Sequence, residues 1–128
     1  MSIPDGIICS INSESISKKE HIFFKQTNPL GFILFSRNFN NKKQLIDLIN
    51  ELKNLTLNKS PFIFIDQEGG RVQRLKNSNF TTFPEQSFFG ELYKKNKEKS
   101  KKLSYLNAYL LANELKNVGI DINFSPVC

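Results

Sequence analysis

Residues 61–65, Pro-Phe-Ile-Phe-Ile, form an apolar run that stops at Asp66 and is followed by Gln67, Glu68, the pair Gly69-Gly70, Arg71 and, after Val72 and Gln73, Arg74. So short and unbroken a hydrophobic stretch predicts a strand buried on both faces, which is found mainly in α/β proteins whose sheets are covered by helices. The charged residues then sit at the C-terminal end of the strand, where parallel α/β folds place their chemistry. The two glycines let the backbone turn sharply and approach a ligand with no Cβ in the way.

The rest of the chain alternates in the same manner. Residues 6–11 form a short apolar run suited to a first strand, and Ser17-Lys18-Lys19-Glu20 has the capping-box pattern that opens a helix through about Gln26. Asn28-Pro29 ends that helix, because the residue before proline avoids helical dihedrals. Residues 30–35 read as a second buried strand closing on Ser36-Arg37-Asn38. After an Asn40-Asn41 cap, Leu45, Ile46, Leu48, Ile49, Leu52 and Leu55 recur at helical spacing. An irregular segment from Leu75 to about Pro84 follows the third strand, and loops of that length in compact domains are often functional. A third helix is expected from near Glu85, broken around Gly90, with its amphipathic part running through Leu103, Leu106, Tyr109, Leu110, Leu115 and Val118. Gly119 then acts as the stop and residues 120–124 form a fourth strand.

The predicted order is β-α-β-α-β-α-β with right-handed crossovers. As a free-standing doubly wound domain it would finish on an uncovered strand. The expectation is therefore the N-terminal half, about four βα units, of a (β/α)₈ TIM barrel, which in full takes about 250 residues. On this reading residues 1–128 are a partial domain truncated after the fourth strand.

The formal charge of +6 raises the question of a polyanionic partner. The basic residues cluster between Lys94 and Lys102, where Glu98 and Ser100 are interspersed and no aromatic side chain is available to stack on bases. A solvated helix start is the better reading, and a basic nucleic-acid-binding domain the rival to it. Cys9 and Cys128 have neither a CxxC nor a metal-ligand spacing and read as reduced thiols, with Cys9 a small core hydrophobe. The N-terminal residues have no basic region followed by a long apolar one, and no apolar segment approaches the length of a membrane span, so a cytoplasmic protein without a membrane partner is expected.

Residues 65–74, Ile-Asp-Gln-Glu-Gly-Gly-Arg-Val-Gln-Arg, closely resemble the signature of glycoside hydrolase family 3, and specifically of its cytoplasmic β-N-acetylglucosaminidases (β-N-acetylhexosaminidases) that recycle cell-wall muropeptides. Three more blocks agree in order and spacing. Gly31-Phe32-Ile33-Leu34-Phe35-Ser36-Arg37-Asn38 resembles the family's second strand, Thr82-Phe83-Pro84 its threonine-apolar-proline loop, and residues 119–127 its fourth strand. The first strand departs from the family pattern, with Cys9-Ser10-Ile11 where an acidic residue is frequent, and Cys128 stands where a leucine is usual.

The resemblance implies that Asp66 and Arg74 hold a non-reducing N-acetylglucosamine, the carboxylate accepting from sugar hydroxyls and the guanidinium donating to them. The structural alternative is that the two only pair with each other or cap a helix. Glu68 and Arg71 are expected to form an internal ion pair or, with Gly69 and Gly70, to structure the loop. Asp66 and Glu68, about 7 Å apart if both stood on an extended strand, could on spacing alone be a glycosidase carboxylate pair. The family implies otherwise, because its retaining mechanism uses an aspartate nucleophile and, in this subgroup, a His-Asp acid/base, and both motifs lie beyond the fourth strand. Neither motif occurs in this sequence, and His21, its only histidine, falls in the opening turns of the first helix. No catalytic residue is assigned, no cofactor or metal is implied, and the chain by itself is expected not to turn over. The implied partners are an N-acetylglucosamine-containing muropeptide and a separately encoded C-terminal half. A noncatalytic sugar-binding remnant is the second alternative.

Overall fold

In a computed structural model the chain is described over residues 5–57, 60–76 and 79–126. The expectations placed on Met1 to Pro4, Val127 and Cys128 lie outside these. The elements are β1 (Asp5–Ser10), α1 (Lys18–Thr27), β2 (Pro29–Leu34), a 3₁₀ turn (Ser36–Asn38), α2 (Lys42–Leu55), β3 (Phe62–Ile65), α3 (Gln86–Lys95), α4 (Lys97–Lys116) and β4 (Ile122–Asn123). The four strands pair in sequential order β1-β2-β3-β4, and every pairing is parallel. A doubly wound sheet must reverse its strand order at a switch point, whereas a barrel adds each strand beside the last. The architecture is therefore a fragment of a (β/α)₈ barrel.

One face of the sheet is covered by helices. Cys9, Phe32, Leu34, Ile63 and Ile65 pack there against Phe24 of α1, the Leu45, Leu48, Ile49 and Leu52 stripe of α2, and Leu111 and Leu115 of α4. The α2 stripe follows the spacing read from sequence because one side of a 3.6-residue helix is enough to meet the sheet. Phe24 and Phe32 meet edge to face at 4.9 Å, a geometry favoured by the ring quadrupoles. The other, inner face carries Gly31, Phe62 and Phe64, with Phe64 stacked on Phe124 at 5.4 Å.

Three local expectations are corrected. The helical segment after Glu85 does not break at Gly90. It runs on to Lys95 and restarts at Lys97, because Asn96 ends α3 through its N–H to the Leu92 carbonyl and caps α4 by accepting from the Lys99 N–H. The 94–102 lysine cluster is thus the end of one helix and the start of the next. In α4 the buried residues are Ser100, Leu111 and Leu115, while Leu106, Tyr109 and Leu110, expected on the core face, are exposed. The fourth strand is shorter than residues 120–124, although Asp121 N–H to the Ile63 carbonyl and Phe124 N–H to the Ile65 carbonyl continue its contact with β3 at both ends.

The capping box at α1 is present. The Ser17 hydroxyl accepts from the Glu20 N–H, and the Glu20 carboxylate accepts from the Ser17 N–H, the Ser17 hydroxyl and the Asn12 N–H. Burial pushes the Glu20 carboxyl up, but these hydrogen bonds outweigh it and hold the group below its ordinary value. A carboxylate depressed on folding stabilises above the unfolded value of about 4.3, and the contribution is lost as pH falls through the lower folded value. Glu20→Gln is expected to lower Tm at pH 7, and the gap to wild type should close as the solution is acidified towards pH 3. Thermal unfolding followed by circular dichroism across that range is the check.

Candidate functional site at the C-terminal end of the sheet

Asp66 immediately follows β3. Its two carboxylate oxygens accept from Arg74 Nε and Nη2, each at 2.6 Å. The side chains are 23% and 30% exposed respectively, so the pair is partly desolvated yet reachable from outside. Asp66's hydrogen bond raises Arg74 above the ordinary guanidinium value; burial opposes this, and the charges of Asp66 and Glu68 add to the rise. Guanidinium has five N–H donors, of which two are spent on Asp66, leaving three. A carboxylate offers about four lone-pair positions, so it too keeps acceptors in reserve. The pair is a pre-oriented cluster of charged donors and acceptors with unused capacity, suited to a polyhydroxylated ligand.

The backbone is shaped by residues to which charge-based reading assigns no role. Gln67 is fully buried, and its Oε1 accepts from Arg74 N–H at 2.7 Å and Leu75 N–H at 3.0 Å. That carboxamide folds the loop back so that Arg74 reaches Asp66. Asn123 at the end of β4 clamps the same residue from the other side, accepting from Gln67 N–H at 2.8 Å and donating to the Gln67 carbonyl at 2.9 Å. At the end of β2, Phe35 lies under two guanidinium groups, with Arg37 4.6 Å and Arg74 5.9 Å from its ring centroid. Buried Asn38 fixes Phe35 by accepting its N–H, and donates to the Ile11 and Ser13 carbonyls beyond β1. The ends of all four strands are thereby tied into one surface.

Between Asp66 and Arg74 the chain makes a tight hairpin. Glu68 and Gly69 N–H both donate to the Val72 carbonyl, and Gly70 N–H donates to the Phe83 carbonyl. Gly69 has φ 100° and Gly70 φ 56°, which a side chain rarely adopts, and a Cβ at Gly69 would collide with the Pro84 carbonyl. The Gly-Gly pair and the Thr-Phe-Pro block, separate in sequence, are therefore one packed unit. Gln73 joins them by accepting from Phe83 N–H and donating to the Thr81 carbonyl. β3 ends at Ile65, so the shared strand face considered for Asp66 and Glu68 does not exist; Glu68 belongs to the hairpin. Glu68 and exposed Arg71 border a cleft of about 420 Å³ together with Glu85 and Gln86. His21 is half-buried on α1 and lines a different cleft, with Ile16, Ser17, Lys18 and Ile22.

Among the described residues no group of three or more His, Cys, Asp and Glu is placed to hold a metal ion, and no helix is long and apolar enough to cross a membrane. Burial raises the Cys9 thiol above its ordinary value, in keeping with its packing against the core.

Comparison with known proteins gives a consistent set of matches. The profile of the glycosyl hydrolase family 3 N-terminal domain matches residues 8–128. The beta-hexosaminidase of Thioalkalivibrio sulfidiphilus is 33% identical over 121 residues, covering 94% of this chain and 34% of its own length. The crystal structure of NagZ from Neisseria gonorrhoeae in complex with N-trifluoroacetyl-D-glucosamine superposes with a TM-score of 0.89 at 33% identity, over 97% of this chain and 36% of that one. A glycoside hydrolase family 3 beta-N-acetylglucosaminidase from Paenibacillus sp. str. FPU-7 superposes at 0.81 with 29% identity, over 93% and 22% of the two chains. The chain thus spans about a third of the length of the curated relatives it matches.

Proposed function

Because this chain belongs to glycosyl hydrolase family 3, whose N-terminal domain it matches from residue 8 onward, we propose that it supplies the Asp66–Arg74 part of the sugar-binding face of a β-N-acetylglucosaminidase. The ligand is a terminal β-linked N-acetylglucosamine, as in the muropeptides of cell-wall recycling, met in the cytoplasm. Asp66 accepts from the sugar hydroxyls, and the three spare N–H groups of Arg74 donate to its oxygens. Glu68, Gly69, Gly70 and Arg71 shape the hairpin that carries the two. The observation that carries this proposal is the bidentate, partly exposed ion pair with unspent donors and acceptors at the C-terminal end of a parallel strand.

Hydrolysis needs more than this surface. A retaining glycosidase requires a nucleophile and an acid/base on opposite sides of the scissile bond. Here Asp66 is committed to Arg74, and Glu68 belongs to the hairpin that carries the pair. The polypeptide of residues 1–128 is therefore expected to bind the sugar weakly without cleaving it, the reacting groups coming from a further part of a family barrel.

Titration with N-acetylglucosamine, followed by heteronuclear NMR, tests this. Shifts are expected at the Arg74 side chain and at residues 66–74, and Asp66→Asn should weaken binding by about tenfold or more, since hydrogen bonds to charged groups contribute about 1.5–3 kcal/mol. Arg74→Lys should do the same, because an ammonium cannot reproduce the planar fork. A chromogenic N-acetylglucosaminide should give no colour above blank. Unperturbed spectra at saturating sugar, or turnover well above blank that Asp66→Asn abolishes, would overturn the proposal.

A further inference from the structure

The hairpin that carries Arg74 also walls a cleft which neither Asp66 nor Arg74 lines. Glu68, Gly69, Arg71 and Val72 form one side of it, and Glu85, Gln86 and Ser87 at the start of α3 the other, around a volume of about 420 Å³. Small-molecule sites fall in the range of about 300–1,000 Å³. The two walls are fixed to each other. Gln86 Nε2 donates to the Glu68 carbonyl at 2.9 Å, and Gly70 N–H to the Phe83 carbonyl at 2.8 Å. The Glu85 side chain lies directly over Gly70, where a Cβ would collide with its Cγ.

Charges of both signs line this cleft without neutralising one another. Arg71 is exposed, and among the described residues its guanidinium makes no ion pair and no hydrogen bond, so the internal pair expected between Glu68 and Arg71 is not formed. Glu85 is exposed too, and its carboxylate turns instead to the Ser87 hydroxyl, from which it accepts at 3.3 Å. A ligand with negative charge alone would meet Glu68 and Glu85, and one with positive charge alone would meet the guanidinium of Arg71. The complementary ligand carries both, a carboxylate matched to the planar fork of Arg71 and an ammonium donating to Glu85. A short peptide with free amine and carboxylate groups has that chemistry, and a neutral saccharide does not.

We propose that this cleft is a peptide subsite beside the saccharide site, taking a short zwitterionic peptide joined to the sugar. Arg71 and Arg74 are three residues apart, so at most about 11 Å of backbone separates them. Glu68, which lines the cleft, also acts electrostatically on Arg74. One ligand can therefore occupy both places, and once its sugar is held the peptide contact becomes intramolecular. The proposal rests on the reading above that Asp66 and Arg74 hold N-acetylglucosamine, and it narrows the ligand to muropeptides whose peptide keeps a free amine and a free carboxylate.

Heteronuclear NMR titration with the free tripeptide alanyl-glutamyl-lysine tests the cleft by itself. Shifts are expected at the Arg71 side chain and at the backbone amides of residues 85–87. Blocking the amines and carboxylates of the tripeptide should weaken binding about tenfold, as should Arg71→Ala, because each removes a charge-assisted hydrogen bond. Both Arg71 and Glu85 are exposed, so the circular dichroism of their variants should match wild type. Asp66→Asn should weaken N-acetylglucosamine binding and leave tripeptide binding as it is, and Glu85→Gln should do the reverse. A muropeptide bearing this tripeptide should bind at least tenfold more tightly than the same saccharide without it, and Arg71→Ala should erase the gain. Tripeptide binding with no N-acetylglucosamine binding would uphold the peptide site and overturn only the sugar reading. No shift at residues 71 and 85–87 with excess tripeptide, equal binding of the blocked peptide, or equal affinity for the muropeptide and the bare saccharide would overturn the proposal.

Discussion

Replacing Gln67 by leucine is expected to remove about 3 kcal/mol of stability and to abolish saccharide binding in the same step. The side chain is fully buried, and its Oε1 is the acceptor for two main-chain donors, the N–H groups of Arg74 and Leu75. Leucine is close in size, so the loss is not one of volume. What changes is that two buried donors are left with no acceptor, at about 1–3 kcal/mol each. The loop relieves this only by opening towards water, which moves the Arg74 backbone and breaks the 2.6 Å contacts between its guanidinium and Asp66. Urea unfolding followed by circular dichroism would give the stability term, and sugar titration under folding conditions the binding term. Binding equal to wild type in the leucine variant would show that the carboxamide does not set the position of Arg74.

The second large effect belongs to Gly31→Val, for which a loss of about 3 kcal/mol or more is expected, at the upper end of what overpacking costs. A Cβ at residue 31 would project onto the inner face and run into the Phe62 carbonyl oxygen, with the Phe64 ring at 2.6 Å and the Phe62 carbonyl carbon at 3.1 Å. The ring could swing aside, but the Phe62 carbonyl is part of the parallel ladder that pairs Gly31 with Phe62 through Leu34 with Ile65. Relief therefore requires shifting β2 against β3 at the centre of the sheet. Domains of this size have total stabilities of about 5–15 kcal/mol, so the change is a large share of the whole. Gly90→Ala is the internal control. Nothing lies within 4 Å of its added Cβ, and it sits inside α3, where alanine gains about 0.5–1 kcal/mol over glycine. Denaturant midpoints moving in opposite directions for the two variants would confirm that steric closure, and not the loss of glycine as such, is responsible.

Most of the fold could be read from the sequence because its signals are local and repeated. The Ser17–Glu20 box, the Asn41 cap and the α2 stripe each report a feature that one helix turn determines, and all are present. The unbroken apolar run before Asp66 marked a central parallel strand, although Phe62 at its start is exposed on the inner face. α4 defeated periodicity because Leu106 and Leu110 are as apolar as Leu111 and Leu115, Tyr109 adds a large ring beside them, and composition cannot say which side of a helix has a neighbour to pack against. The break at Asn96 was masked by Gly90, since a glycine reads as a helix breaker whereas the capping amide that restarts the helix looks like one more polar residue in a lysine-rich stretch.

The site shows the same division. Asp66 and Arg74 stood out because charge at the end of an apolar strand is conspicuous, and the structure brings them into contact. Gln67, Gln73, Asn38 and Asn123 did not, because an amide is unremarkable in a sequence and its role depends on long-range partners, such as the 56 residues that separate Gln67 from Asn123. The available cue was position. Gln67 lies between two carboxylates and two residues before the first glycine, so its turning inward goes with neighbours that face out.

The scaffold under the ion pair is held by neutral carboxamides, each giving and taking hydrogen bonds with main-chain groups. Such groups have no proton to gain or lose across the range in which proteins stay folded. The hydrogen bonds that shape the cradle therefore persist unchanged from acid to alkali, because none of them depends on a proton being bound or released.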